Sequence, residues 1–310
     1  MIDSMTDSRA VDRIDEVWGD PSSWEAAGWQ ASRLPAVRRM FNRHVTGEDE
    51  TDAITWFFRR VGRERPLPLG RVLVLACGGG ELERSLVAEG RVREVVAVDI
   101  SPRVIAVAEA AARDAGITGI RYQTGDMNAL DVEGPFDAVF SSSAIHHCEN
   151  LEGLFAVIRR ILVPGGWLFL DDYVGPGRFQ WTDAQVLQIN RLLQLLPDRM
   201  VHNMAGYTRR GFDRVGADVV AAHDPSEAVR SQDILRVMGD HLAVEVCRGY
   251  GGNLLHLVLS NLAQHFDPDY SGDPSGPEYL ELLIEASDHL RATGRCQDDF
   301  AVAIARHASN

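Results

Sequence analysis

The chain has 310 residues with 45% hydrophobic content, enough to bury a full α/β core and leave residues for a cap, so one large domain with helical additions is expected. A formal net charge of −14 without a long basic cluster argues against a phosphate-backbone partner, so no nucleic acid is expected as substrate. All 31 basic residues are arginine, which excludes Schiff-base chemistry and a lysine general base.

Cys77, Cys148, Cys247 and Cys296 lack the paired spacing of a zinc site and are too few for a disulfide scaffold. They read as reduced thiols of a cytoplasmic protein. No stretch has the pattern of a signal peptide or the apolar length to span a bilayer, so a soluble protein without a membrane partner is expected.

In chain order, residues 1–66 read as a helical lid. Leu34, Val37 and Phe41 share one helix face; after Thr51, taken as an N-cap, Ile54, Phe57, Phe58 and Val61 share another. The segment Arg65-Pro66-Leu67-Pro68-Leu69 cannot continue a helix and delivers the chain into the first strand. Residues 67–173 read as the core, 174–241 as a helical cap insertion, and 242–310 as the end of the core with inserted helices.

The chain is organised around Val72-Leu-Val-Leu-Ala-Cys-Gly-Gly-Gly-Glu-Leu-Glu83. An apolar run stops at three glycines and is followed by helix formers, the pattern of a buried parallel strand turning into a helix. Gly78 and Gly80 let backbone take positive φ and approach a ligand. A second apolar run, Val95 to Ile100, carries Asp99 about twenty residues further on, where nucleotide-binding α/β folds place a carboxylate on ribose hydroxyls. A dinucleotide fingerprint needs a small residue where Glu83 stands, so NAD and FAD are disfavoured.

Ser101-Pro102 supplies a capping hydroxyl and an N1 proline for a helix ending near Gly116. A third strand, Ile120 to Gln123, leads into Gly125-Asp126-Met127. A fourth, Phe136 to Phe140, opens onto Ser141-Ser-Ser-Ala-Ile-His146-His147, small residues that leave room for a ligand beyond the strand end. Either histidine suits a general base. Metal binding by the pair is not expected, because adjacent residues on one segment rarely point at one ion.

A helix from Leu151 to Leu162, stopped by Pro164-Gly165-Gly166, precedes a fifth strand, Trp167 to Leu170, which ends in Asp171-Asp172-Tyr173-Val-Gly-Pro-Gly-Arg178-Phe-Gln-Trp-Thr182. Thr182 and Gln185 form a capping box for the next helix, with Val186, Ile189, Leu193 and Leu196 on one face. The sixth strand is Leu242 to Cys247, broken by Gly249-Tyr-Gly-Gly252. Helices from Asn253 to Phe266 and Pro277 to Ala292 and a last strand, Phe300 to Ala305, follow.

These motifs in this order resemble the class I S-adenosylmethionine-dependent methyltransferases, from about Arg71 to the C-terminus. The segment Asp-Tyr-Val-Gly-Pro with Arg178-Phe-Gln-Trp-Thr resembles a bacterial and archaeal branch of that superfamily. The resemblance implies an α/β, Rossmann-like seven-stranded sheet with the last strand inserted antiparallel. It implies S-adenosyl-L-methionine as cofactor: Ala76, Gly78 and Gly80 under its methionine part, Asp99 and Ile100 at the ribose, Asp126 and Met127 at the adenine, and Ser141 near the sulfur. The family often has an acid where Val74 stands and a glycine at Ala76. Glu81 or Glu83 is the candidate substitute for gripping the methionine amino group.

In the family the leader folds over cofactor and substrate, which nominates Trp24, Trp29, Arg33 and Arg39. The segment after the fifth strand builds the acceptor pocket, which nominates Met200, His202, Asn203, Tyr207 and Arg209. Phe179 and Trp181 either plug the cap or touch substrate. His146, His147, Asp172 and Tyr173 are the catalytic candidates, the Tyr173 ring being expected to face the cationic sulfur.

The expected activity is methyl transfer to a small molecule, with a hydroxyl favoured over an amine or carboxylate. The alternatives are a lyase or cyclase that expels methylthioadenosine and a catalytically silent cofactor-binding module. The oligomeric state is left open, a homodimer included.

Overall fold

The computed structural model describes residues 31–202, 206–252 and 254–308. Trp24, Trp29 and Asn203 lie outside the described residues. The sheet has seven strands in the order β3-β2-β1-β4-β5-β7-β6. They are β1 (Leu69–Leu75), β2 (Val92–Asp99), β3 (Ile120–Thr124), β4 (Phe136–Ser142), β5 (Leu162–Tyr173), β6 (Ala243–Gly251) and β7 (Phe300–Arg306). The first five run parallel, and β7 enters antiparallel between β5 and β6. This is the Rossmann-like α/β fold expected from the sequence.

The longer helices among the described residues are α1 (Pro35–Thr46), α2 (Ala53–Val61), α3 (Glu81–Ala88), α4 (Pro102–Asp114), α5 (Leu151–Ile161), α6 (Asp183–Leu195), α7 (Ala217–His223), α8 (Ile234–His241), α9 (Leu255–Leu259) and α10 (Gly276–Ala292). Strand periodicity divides the core. Leu73 and Leu75 of β1 pack with α5 and α8 on one face, while Val72 and Val74 pack with Phe57 and Phe58 of α2 on the other. Phe57 meets Phe140 and Phe169 edge-on at 5.2 and 5.5 Å between ring centroids. A third cluster joins Leu34, Val37 and Met40 to Ile189 and Leu193 of α6 and to Leu280 and Leu283 of α10. The described part of the leader is therefore bound into the same body as the insertion and the C-terminal helices.

Several expected boundaries move. Asp52, not Thr51, caps α2, accepting from the Thr55 N–H at 2.8 Å. Pro164-Gly165-Gly166 lies inside β5, where Gly165, at φ 72, donates its N–H to the His307 carbonyl and the His307 N–H donates to the Gly166 carbonyl. Gly249-Tyr250-Gly251 continues β6 instead of breaking it, through register shifts that glycine tolerates. The expected helix over 253–266 is interrupted at Asn261, which takes φ 58, and resumes as a single turn, Ala263–Phe266. The caps at Ser101 and Thr182 form as read, the second as a full capping box.

Candidate functional site

A cavity of about 1010 Å³ opens beyond the carboxyl ends of β1, β2 and β4, where ligands of open α/β sheets bind. Ala76, Gly78, Asp99, Ile100, Asp126 and Met127 all line it. Ala76 and Gly78 take φ 47 and 53, so the loop is held in the left-handed region even where alanine replaces glycine. Asp99 ties the loop to the strand end: one carboxylate oxygen accepts from Gly78 N–H and the other from Ser101 N–H, each at 3.0 Å.

Gly80 does not line the cavity. At φ 80 it packs against α4, where an added Cβ would fall 2.8 Å from the Tyr122 hydroxyl and 2.9 Å from the Ala108 Cβ. Of the two candidate glutamates, Glu81 lines the cavity and Glu83 does not. Glu83 is fully buried, and both its carboxyl oxygens lack a hydrogen-bond partner among the described residues. Burial raises its pKa to about 7 against the pull of Arg84.

The far end of the cavity is formed by Ser142, Ser143, Ala144, His146, His147 and Ser226. Ser141 is corrected: it lies under this floor, fully buried, with its hydroxyl unpartnered among the described residues. Asp172 is likewise buried and does not reach the cavity. It organises the histidine turn from behind, accepting from Ala144 N–H at 3.1 Å, Ile145 N–H at 2.6 Å and His146 Nδ1 at 2.6 Å. It is a positioning residue.

Tyr173 is also corrected. Its ring packs between Phe179 and Phe300 at 5.1 and 5.4 Å, its hydroxyl donates to the Pro176 carbonyl at 3.0 Å, and it is 2% exposed. Buried away from the cavity, it cannot face a cofactor sulfur.

The Nδ1 of His146 donates to Asp172, which turns Nε2 toward Glu227 Oε1 at 3.5 Å. Burial opposes the charged form of His146, but Asp172, Glu227 and Asp224 outweigh it and raise its pKa. His147 Nδ1 meets the Ser226 hydroxyl at 3.0 Å, and that hydroxyl donates to Asp224 at 2.6 Å. Burial and the neighbouring His146 lower the His147 pKa.

Asp224, Ser226 and Glu227 were not found from the sequence, because they lie some eighty positions from the histidines in a segment without periodic pattern. The local signal is Asp-Pro-Ser, whose aspartate accepts from the Ser226 N–H as in an Asx turn. What holds this loop is Arg178, at φ 52, whose guanidinium donates to the carbonyls of Pro225 at 2.6 Å and Glu227 at 2.9 Å. Phe179 stacks on Trp181 at 5.2 Å, and Trp181 is 6% exposed, so these rings plug the cap.

Arg33 reaches the cavity rim, whereas Arg39 lines a second cavity of about 510 Å³ beside Asp171 and Tyr250. Asp52 and Ile54 line both cavities. The remaining cap nominees line neither. Met200 is buried, His202 bonds Thr208, Arg209 donates to the carbonyls of Leu257, Val258 and Ser260, and Tyr207 is exposed. No helix among the described residues is long and apolar enough to cross a membrane.

Residues 73–170 match the family described as "Methyltransferase domain". The chain is similar to the "Ubiquinone biosynthesis O-methyltransferase" of Paracidovorax citrulli, 32% identical over 106 residues that cover 34% of this chain and 44% of that protein. It is similar to the protein of the same name from Leptothrix cholodnii, 29% identical over 119 residues, 38% of this chain and 48% of that one. The chain thus spans less than half the length of these curated relatives. Among solved structures, Haemonchus contortus phosphoethanolamine N-methyltransferase 2 in complex with S-adenosyl-L-methionine shares the fold, with a TM-score of 0.50 and 16% identity over 89% of this chain and 58% of that one. Residues 73–170 thus carry the match to a methyltransferase domain, and the sheet around them has the fold of that S-adenosylmethionine-bound structure.

Proposed function

We propose that the protein transfers the methyl group of S-adenosylmethionine to a small-molecule acceptor, with a hydroxyl favoured over an amine or carboxylate. The observation that carries this reading is the charge of the cleft: among the described residues Asp52, Glu81, Glu89, Asp99 and Asp126 line it against Arg33 and Arg91, and Arg91 is paired with Glu89. An acid-lined cleft beside a glycine loop suits a cofactor bearing a sulfonium and an ammonium. It is the wrong field for the pyrophosphate of a dinucleotide.

Asp99 would hold the ribose, Asp126 and the Met127 backbone the adenine, and Glu81 the methionine amino group that the family's missing acid leaves to other residues. When bound, the cofactor supplies an activated methyl group. The chain's own contribution is to align the acceptor behind it and keep water out, which an in-line displacement needs more than chemical assistance. The acceptor's reacting hydroxyl would stand at the histidine end, where its proton leaves. The name O-methyltransferase carried by the relatives supports a hydroxyl acceptor.

Calorimetry with S-adenosylmethionine and with NAD, followed by product analysis, tests the reading. Saturable binding of the first alone is expected, with Asp99→Ala weakening it by about 1.5–3 kcal/mol. S-adenosylhomocysteine should form only when an acceptor is supplied, and His146→Ala or His147→Ala should then lower turnover by about 10²–10⁴ while cofactor affinity holds. Methylthioadenosine formed without acceptor would replace this reading with a lyase or cyclase, and binding without turnover across an acceptor panel with a binding module.

A further inference from the structure

We propose that His146, His147 and Glu227 form a binding site for one divalent first-row transition-metal ion at the acceptor end of the cleft. One ligand atom from each of the three lies within 4.8 Å of the other two. Sequence adjacency argued against such a pair, but Ile145–His147 forms a single tight turn and brings the two imidazoles side by side, tilted at 39° with 4.1 Å between ring centroids. Their ring nitrogens are thereby directed to a common region.

Three further observations mark this as a built site. The first is the support behind each imidazole. His146 Nδ1 is held by Asp172, so ligation through Nε2 would complete the carboxylate–histidine–metal pattern; His147 Nδ1 is held by the Ser226 hydroxyl, itself bonded to Asp224. The second is the state of Glu227. Its Oε1 is buried and makes no hydrogen bond among the described residues, and its 3.5 Å approach to His146 Nε2 is an ion-pair contact only. A buried carboxylate oxygen aimed at two imidazoles is the group a cation would satisfy.

The third is charge. Asp172, Asp224 and Glu227 are gathered around the pair with side chains 0%, 3% and 17% exposed, while the nearby Arg178 guanidinium is spent on backbone carbonyls. The loop is fastened on both sides, since Val229 N–H donates to the His146 carbonyl and Arg178 N–H to that of Ala228. Two imidazoles and one carboxylate suit Zn²⁺, Co²⁺, Fe²⁺ or Mn²⁺ in preference to Mg²⁺ or Ca²⁺, which take oxygen ligands. Ion binding goes beyond the methyl-transfer reading. Only a role for the ion in placing the acceptor hydroxyl rests on it.

The test is titration of the metal-stripped full chain with Zn²⁺ and with Co²⁺ by calorimetry, the visible spectrum of the Co²⁺ form, and a parallel Mg²⁺ titration. One ion per chain is expected for Zn²⁺ and Co²⁺, with a nitrogen-and-oxygen ligand spectrum and no saturable Mg²⁺ binding. Glu227→Gln and His147→Ala should each weaken binding by about tenfold or more, as should Asp172→Asn through His146, whereas His289→Ala on α10 should leave it unchanged. Circular dichroism identifies any variant that has not folded, and the Co²⁺ spectrum of the unaltered chain stands without the variants. Absence of saturable Zn²⁺ and Co²⁺ binding, equal binding of Mg²⁺, or undiminished binding in folded Glu227→Gln and His147→Ala overturns the site. S-adenosylmethionine is titrated into the same preparations, so failure of the metal site with cofactor binding intact leaves the methyl-transfer reading standing, and the reverse result separates them equally.

Discussion

Glu83 occupies the place that a dinucleotide site needs for a small side chain, and its burial shows what that exchange costs the fold. The carboxyl is enclosed with the Tyr122 hydroxyl beside it, and its pKa stands at about 7 against an ordinary 4.5. A carboxyl whose folded value is raised contributes stability fully below its unfolded value, and that contribution is lost as pH rises through the folded value. Glu83→Gln removes the titration. The variant should gain on the unaltered protein by about 3 kcal/mol between about pH 4 and pH 8, measured by urea unfolding at both ends. A stability difference that does not change with pH would show that Glu83 is ionised in the folded state.

At the scale of elements, the Arg178-Phe-Gln-Trp-Thr segment acts through what it fastens. Phe179 and Trp181 stack into the cap, Thr182 starts α6, and Arg178 spans to the 224–228 loop that faces the histidines. Lysine cannot reproduce a planar guanidinium shared among several carbonyls. Arg178→Lys should therefore loosen Ser226 and Glu227, lowering acceptor turnover by about 10–100-fold while S-adenosylmethionine affinity is held by the opposite end of the cavity. Steady-state kinetics beside cofactor calorimetry read the two separately. An equal loss in both would mean that the segment supports the whole cap and not this loop.

For the whole molecule, the insertion of β7 between β5 and β6 joins the C-terminal strands to the half that carries the glycine loop. Ala301 to Ala305 are each no more than 2% exposed, and Ile304 packs into the cluster that holds Phe57, Phe140 and Phe169. Ile304→Ala should lower stability by about 2–4 kcal/mol, with one cooperative unfolding transition seen by both circular dichroism and tryptophan fluorescence. Two separated transitions would show that β6 and β7 unfold apart from the rest.

The strands and the glycine loop were legible because their signals are local. Val72 to Leu75 is buried on both faces and so reads as an unbroken apolar run, Gly78 needs a backbone few residues take, and Ser101-Pro102 and Thr182 with Gln185 carry their caps within one helical turn. The histidine end was only half legible. His146 and His147 stand in order after β4, but their environment comes from Asp172 on β5 and from Ser226 and Glu227 in a loop clamped by Arg178, and no local pattern records which distant segment closes over a strand end. Tyr173 was misplaced for a related reason. Alternation along β5 predicts that neighbouring side chains point to opposite faces, but the Phe179 and Phe300 rings that enclose Tyr173 come from the cap and from β7, so only tertiary packing decided that it belongs to the core.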